Sequence, residues 1–263
     1  MSYALSEIEH LYGEDVHILD DPFLTTQLAR LCSADTGQPQ FNQIVTQLYQ
    51  SLIRTVINAE FPREDAEIDT RMKETTEHGV FRGRVVDRQT KTVVVDIARA
   101  GILPSQICYD TLNSILDPLK VRQDHLIMAR TVDAQQQVTG ASISGSKIGG
   151  TVEDCIVLFP DPMGATGGSL ATAIGSYVRG ELGTPSRLIT LNLIVTPEFV
   201  RRLKEAVPGV QIYAIRLDRG MSSPDVLASV PGARWDDESG LDSQQYIVPG
   251  GGGFGELMNN SWI

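Results

Sequence analysis

Five short runs of branched apolar residues, separated by segments of helical period, constrain this chain more than any other feature. They are 92–96 (TVVVD), 126–129 (LIMA), 155–159 (CIVLF), 188–195 (LITLNLIV) and 210–215 (VQIYAI). Runs that are apolar at consecutive rather than alternate positions predict strands buried on both faces. Between them, 102–116, 169–179 and 198–207 read as helices; on the second, Leu170, Ile174, Tyr177 and Val178 share one face. Strands joined through helices require right-handed crossovers, so the predicted class is α/β, a mostly parallel sheet flanked by helices. A further helix precedes the first strand. Phe41, Ile44, Val45, Leu48, Leu52, Ile53 and Val56 recur at three and four residues, and Phe61-Pro62 ends the pattern. The fold therefore has an N-terminal helical part.

The whole chain, 1–263, reads as one domain. Residues 1–20 carry Glu7, Glu9, Glu14, Asp15 and Asp20 with no Lys or Arg, which suggests an extended or frayed arm. Residues 131–150, rich in Gln, Ser and Gly, and 219–245, rich in Ser, Asp, Gly and Pro, read as flexible loops or flaps.

Composition excludes several functions. With 41% hydrophobic residues the chain is too apolar for disorder, yet its apolar runs fall far short of the roughly 18 residues a membrane span needs. A net charge of −11 argues against a nucleic-acid or anionic-membrane surface, while leaving room for a small anion in a local pocket. Cys32, Cys108 and Cys155 are widely spaced and odd in number, as expected of reduced thiols inside a cell. No basic region followed by an apolar stretch opens the chain, so the expected location is cytoplasmic. His10, His17, His78 and His125 lack ligand spacing, and no metal-ligating residues are assigned.

The most informative segment is 155–170, CIVLFPDPMGATGGSL. A buried strand ends, Asp161 follows, and Gly164, Ala165, Thr166, Gly167, Gly168 and Ser169 lead into a helix. Small residues let successive N–H groups approach a ligand, and the helix start favours an anion. Thr166 and Ser169 can add hydroxyl hydrogen bonds; Ser169 can equally be a helix N-cap. No Lys follows the glycines and GxGxxG is absent, so this is neither a Walker A loop nor a dinucleotide fingerprint. An acid just before a phosphate loop can grip the hydroxyls of a sugar, which suggests a ribose phosphate.

The run DPMGATGGS resembles the signature of type I phosphoribosyltransferases, and most closely the uracil phosphoribosyltransferase form, DPMLATGGS. It departs only at Gly164, where that family has a bulky residue. In the same order, Ala98-Arg99-Ala100-Gly101 resembles the family's pyrophosphate loop, 125–130 (HLIMAR) the strand bearing a second substrate arginine, and 246–250 (YIVPG) the opening of the uracil-recognition segment. Asp21-Pro22-Phe23 and the following helix resemble its N-terminal helical part.

The resemblance implies a chemistry. Phosphoribosyl pyrophosphate arrives with Mg²⁺, and a nucleobase nitrogen, that of uracil, replaces pyrophosphate at the anomeric carbon. Asp161 would hold the ribose hydroxyls and steady the cationic sugar, and Ala165, Thr166, Gly167, Gly168 and Ser169 the 5′-phosphate. Arg99 and Arg130 would take the pyrophosphate, the alternative for each being a surface ion pair. Residues 131–150 would cover the site, with Lys147 within reach of phosphate or simply solvated. Tyr246, Ile247, Gly252, Gly253 and Phe254 would form the base site. A homodimer or higher homo-oligomer is expected.

The base segment departs from the family's LGDAGDR. Here Gly253 replaces the first Asp, Phe254 the Ala, Glu256 the second Asp and Leu257 the Arg. Backbone recognition of a base survives such changes; Phe254 stacks on the base or plugs the pocket. Residues 219–245 also exceed the family's length and would rebuild the pocket wall or form a subunit contact. Two readings remain: an enzyme acting on uracil or another base, and a silent relative that senses phosphoribosyl pyrophosphate or a nucleotide.

Overall fold

The fold is that of a computed structural model, which describes residues 3–132, 138–179 and 182–261, with side chains for all of these but 129–132, 138–141 and 179. An acidic cap starts the first helix. Asp21 Oδ1 accepts from the N–H of Phe23 (2.9 Å) and Leu24 (3.1 Å), and Pro22 opens α1 (Pro22–Leu31). The helix α2 (Gln40–Glu60) buries Phe41, Ile44, Val45, Leu48, Tyr49, Leu52, Ile53, Val56 and Ile57, the stripe its period predicts.

The main sheet takes its strands from β1 (Val16–Ile18), β4 (Thr92–Ala98), β5 (Val121–Val132), β6 (Val138–Lys147), β7 (Ile156–Pro160), β8 (Met163–Gly164), β9 (Arg187–Val195) and β10 (Gln211–Leu217). Their order is β1-β10-β9-β7-β4-β5-β6, with β8 also on β9; all pairs are parallel except β5 with β6. Successive side chains enter opposite cores. Val94, Ile156, Leu158, Ile189 and Leu191 pack under α1, α2 and α3 (Ile102–Asn113). Val93, Val95, Val157 and Phe159 pack under α4 (Gly168–Arg179) and α5 (Pro197–Ala206). Each fully buried Leu, Ile or Val contributes about 1.5–3 kcal/mol. With both faces covered, ligands are left the carboxyl ends of the strands.

Three expectations are corrected. Residues 3–20 are not a frayed arm: Val16 and Ile18 are buried in β1, and Tyr12 is buried with its hydroxyl on Glu238; residues 1–2 lie outside the described residues. The acid count of the segment hides this short alternation. Half of 131–150 is strand β6, an antiparallel edge that needs an apolar face only on one side; 133–137 lie outside the described residues. Residues 219–245 are not loose: buried Glu238 accepts from Arg219 (2.8 Å) and the Gly232 N–H (2.8 Å). They include the short helix α6 (Pro224–Leu227). Sequence periodicity also misses the ribbon β2 (Arg63–Asp69)–β3 (Val80–Val86), which is charged and largely exposed. No helix among the described residues is long and apolar enough to cross a membrane.

Candidate active site

Strand β9 shapes the loop that follows β7. Asp161 N–H donates to Leu191 O (3.0 Å), Asn192 Nδ2 to Asp161 O (2.6 Å), and the N–H groups of Leu193 and Ile194 to Pro162 O (3.1 Å each). Thr196 closes the far side, its N–H on Gly164 O (3.1 Å) and its hydroxyl on Ala165 O (2.7 Å). Gly164 is explained by packing, since a Cβ there would lie 2.9 Å from the ring of Phe199 on α5. The chain then turns through Gly167 at φ +74° and enters α4 at Gly168. Ser169 therefore lies inside the first turn rather than at the cap, and it is exposed beside Thr166.

Asp161 keeps only a partly exposed edge. Burial pushes its carboxyl up to about 6, opposed only by the hydrogen bond from the Met163 N–H (3.2 Å). A carboxylate held so reluctantly in its charged form gains most when a cation comes to lie against it.

The Arg99 loop meets this centre from β4. A Cβ on Gly101 would sit 3.1 Å from Pro160 O, at the end of β7, and the peptide between Ala98 and Arg99 is cis. The guanidinium of Arg99 donates to Ser261 Oγ (2.6 Å) and Glu256 Oε1 (3.1 Å) and stays about a third exposed. Glu256 belongs to α7 (Phe254–Asn259), and Gly255 of that helix faces Ala100, its Cβ position 3.6 Å away. The pyrophosphate and base segments are thus neighbours. Arg130 lies on β5 opposite Ala141 of β6, and its side chain is outside the described residues. Lys147 is exposed on β6 opposite His125. Asp96 is buried and accepts from His125 Nδ1 at 3.0 Å, a partner the sequence does not suggest.

In the base segment, Tyr246 is 59% exposed and Ile247 is buried. Positive φ at Gly250 (+60°) and Gly252 (+82°) turns the chain back toward α7. Phe254 requires a correction. Its ring is 1% exposed and packs edge-on against Phe41 of α2 with centroids 5.1 Å apart, so it neither stacks on a base nor plugs an open pocket. A cleft of about 680 Å³ lies at the amino ends of β4, β7 and β9, opposite the Asp161 edge. Four of the five charges lining it are paired, Glu60 with Arg187 (3.2 Å) and Lys91 with Asp154 (3.7 Å).

Sequence reasoning missed Asn192 and Thr196, though a polar residue inside the apolar run LITLNLIV was a signal. It also missed Arg216 and Asp218, charges at the end of another apolar strand that hold Gly250.

The fold, with its acid and glycine-threonine turn between β7 and α4, is that of a phosphoribosyltransferase, a class of pentosyltransferases. Within that class the chain belongs to the uracil phosphoribosyltransferase family, which matches residues 18–233. A uracil phosphoribosyltransferase of Delftia acidovorans is 27% identical over 248 residues, 92% of this chain and 97% of its own. One of Finegoldia magna is 28% identical over 243 residues, with the same shares covered. A solved structure of a protein from Aquifex aeolicus shares the fold, with a TM-score of 0.69 at 20% identity over 92% of this chain and 97% of that one.

Proposed function

We propose that the protein transfers the phosphoribosyl group of phosphoribosyl pyrophosphate to N1 of uracil, giving UMP and pyrophosphate, as a cytoplasmic step of pyrimidine salvage. The observation that carries this is the buried Asp161 set immediately before an amide-rich turn at the carboxyl edge of the sheet. In this reading the turn 165–169 takes the 5′-phosphate, fixing the sugar so that its anomeric carbon lies near the base. The bond to pyrophosphate breaks as positive charge builds on the ribose, and Asp161 stabilises that charge while its carboxylate holds the hydroxyls. Arg99, and Arg130 from the neighbouring strand, meet the departing pyrophosphate. Mg²⁺ comes with the substrate, held by pyrophosphate oxygens and water. The N1 proton passes to water as the new C–N bond forms.

The ribbon β2–β3 leaves Ile68 and Phe81 half exposed on paired positions, which supports a homodimer or higher homo-oligomer. One observation favours the sensor reading: Arg99 is already engaged by Glu256 and Ser261. Incubation with phosphoribosyl pyrophosphate, Mg²⁺ and a panel of bases separates the readings. Pyrophosphate release with uracil alone supports the transferase; release with a different base reassigns the acceptor. Binding without release for every base supports the sensor.

A further inference from the structure

Four consecutive glycines, Gly250 to Gly253, follow the YIVP run. Ordering glycine costs more chain entropy than ordering any other residue, so a loop of this kind offers fixed backbone groups only if something outside it holds it. Strand β10 ends in such a holder. Arg216 and Asp218 form a two-point ion pair, Nε to Oδ1 at 2.6 Å and Nη2 to Oδ2 at 2.8 Å. The same two side chains take both backbone groups of Gly250: its N–H donates to Asp218 Oδ2 (2.8 Å) and its carbonyl accepts from Arg216 Nη2 (2.9 Å). Asp218 is 2% exposed, and its own N–H is tied to Val195 O (2.8 Å) at the end of β9. Nη1 of Arg216 reaches Cys32 Sγ (3.7 Å), and a Cβ on Gly251 would lie 2.7 Å from that sulfur. Among the described residues no hydrogen bond uses the N–H or C=O of Gly251 or Gly252, which leaves these groups unpaired next to a fixed anchor, with Gly252 exposed.

We infer that Arg216 and Asp218 are positioning residues for the acceptor base: by gripping Gly250 at both backbone groups they preset the amides and carbonyls of Gly251 and Gly252 for a planar base edge. This rests on the reading of 246–253 as the base site. Neither side chain touches the reacting atoms; each acts through Gly250. A Lys at 216 supplies one point of attachment where the forked guanidinium supplies several, so the arrangement is specific to Arg.

The test uses two variants. Arg216→Met alone strands a buried carboxylate and risks misfolding. The double variant Arg216→Met with Asp218→Leu removes both charges together, so the fold has no unpaired ion. For whichever variant folds, we expect KM for uracil to rise about ten- to a hundredfold while KM for phosphoribosyl pyrophosphate stays within about twofold. Cys32 supplies a readout independent of turnover. Cys108 and Cys155 are buried, so thiol labelling, read by peptide mass, reports Cys32 first, and its rate should rise about tenfold without the clamp. A folded double variant with unchanged KM for uracil, or with both KM values raised equally, overturns the inference. If the wild-type protein releases no pyrophosphate with any base, the proposed function fails first; the clamp then stands or falls on the labelling rate, and an unchanged rate overturns it.

Discussion

Acid should silence the enzyme through Asp161, and the structure gives the size of the effect. Burial raises its carboxyl from 3.8 to about 6, which corresponds to about 3 kcal/mol against the charged form. In stability, a raised carboxyl favours the folded chain below 3.8, and that contribution is lost as pH rises through about 6. In the proposed reaction activity runs the other way, because the ionised form would face the cationic sugar. At pH 5 about a tenth of the carboxyls remain charged, so kcat/KM for phosphoribosyl pyrophosphate should fall about tenfold from its plateau.

The substrate's 5′-phosphate also titrates near pH 6, so one pH profile does not assign the limb. The assay therefore compares wild type with Asp161→Asn from pH 4.5 to 8. The variant should lose about 10²–10³-fold in kcat, the range for removing one preorganised electrostatic partner. Its remaining profile should show only the substrate's own limb, shallower than that of wild type. An identical acidic limb in the two proteins, or a wild-type limb near pH 4, refutes the argument from burial.

Arg99→Ala should weaken binding of phosphoribosyl pyrophosphate by about ten- to a hundredfold in titration calorimetry; unchanged affinity removes Arg99 from the site. Gly167→Ala puts a side chain at φ +74°, 3.2 Å from Phe199 O, and should cost about 1–2 kcal/mol in urea unfolding as well as substrate affinity. A variant as stable as wild type contradicts that turn. Phe254→Ala should cost about 3–5 kcal/mol of stability with base preference unchanged. A changed preference at full stability would return the ring to the base site.

Much of the main sheet was legible because burial on both faces writes itself as consecutive apolar residues, which no loop or surface helix imitates. The edges were not. β1 and β6 need apolar residues on one side only, and their polar neighbours outweigh that weak alternation; β2 and β3 are mostly exposed and carry no apolar period. The site divides in the same way. The Asp161 segment is contiguous, so its strand, acid and small residues can be read together. Asn192, Thr196, Arg216 and Asp218 act across the sheet on backbone atoms far away in sequence. Such bonds leave no periodic trace beyond a polar residue in an apolar run.

Two departures from the family pattern acquire a common cause once their surroundings are known. Gly164 replaces a bulky residue where Phe199 of α5 fills the space, and Phe254 replaces a small one where its ring meets Phe41 of α2. Both changes face the core, so each is a matter of packing volume rather than of ligand chemistry. The groups that the proposed function would offer to a ligand in the two segments, the start of α4 and the glycines after Pro249, are backbone groups that no side-chain change removes. What those changes can alter is how firmly the backbone is held. In the proposed reading, Thr196 at the first segment and the Arg216–Asp218 pair at the second hold that backbone, and the substituted positions do not.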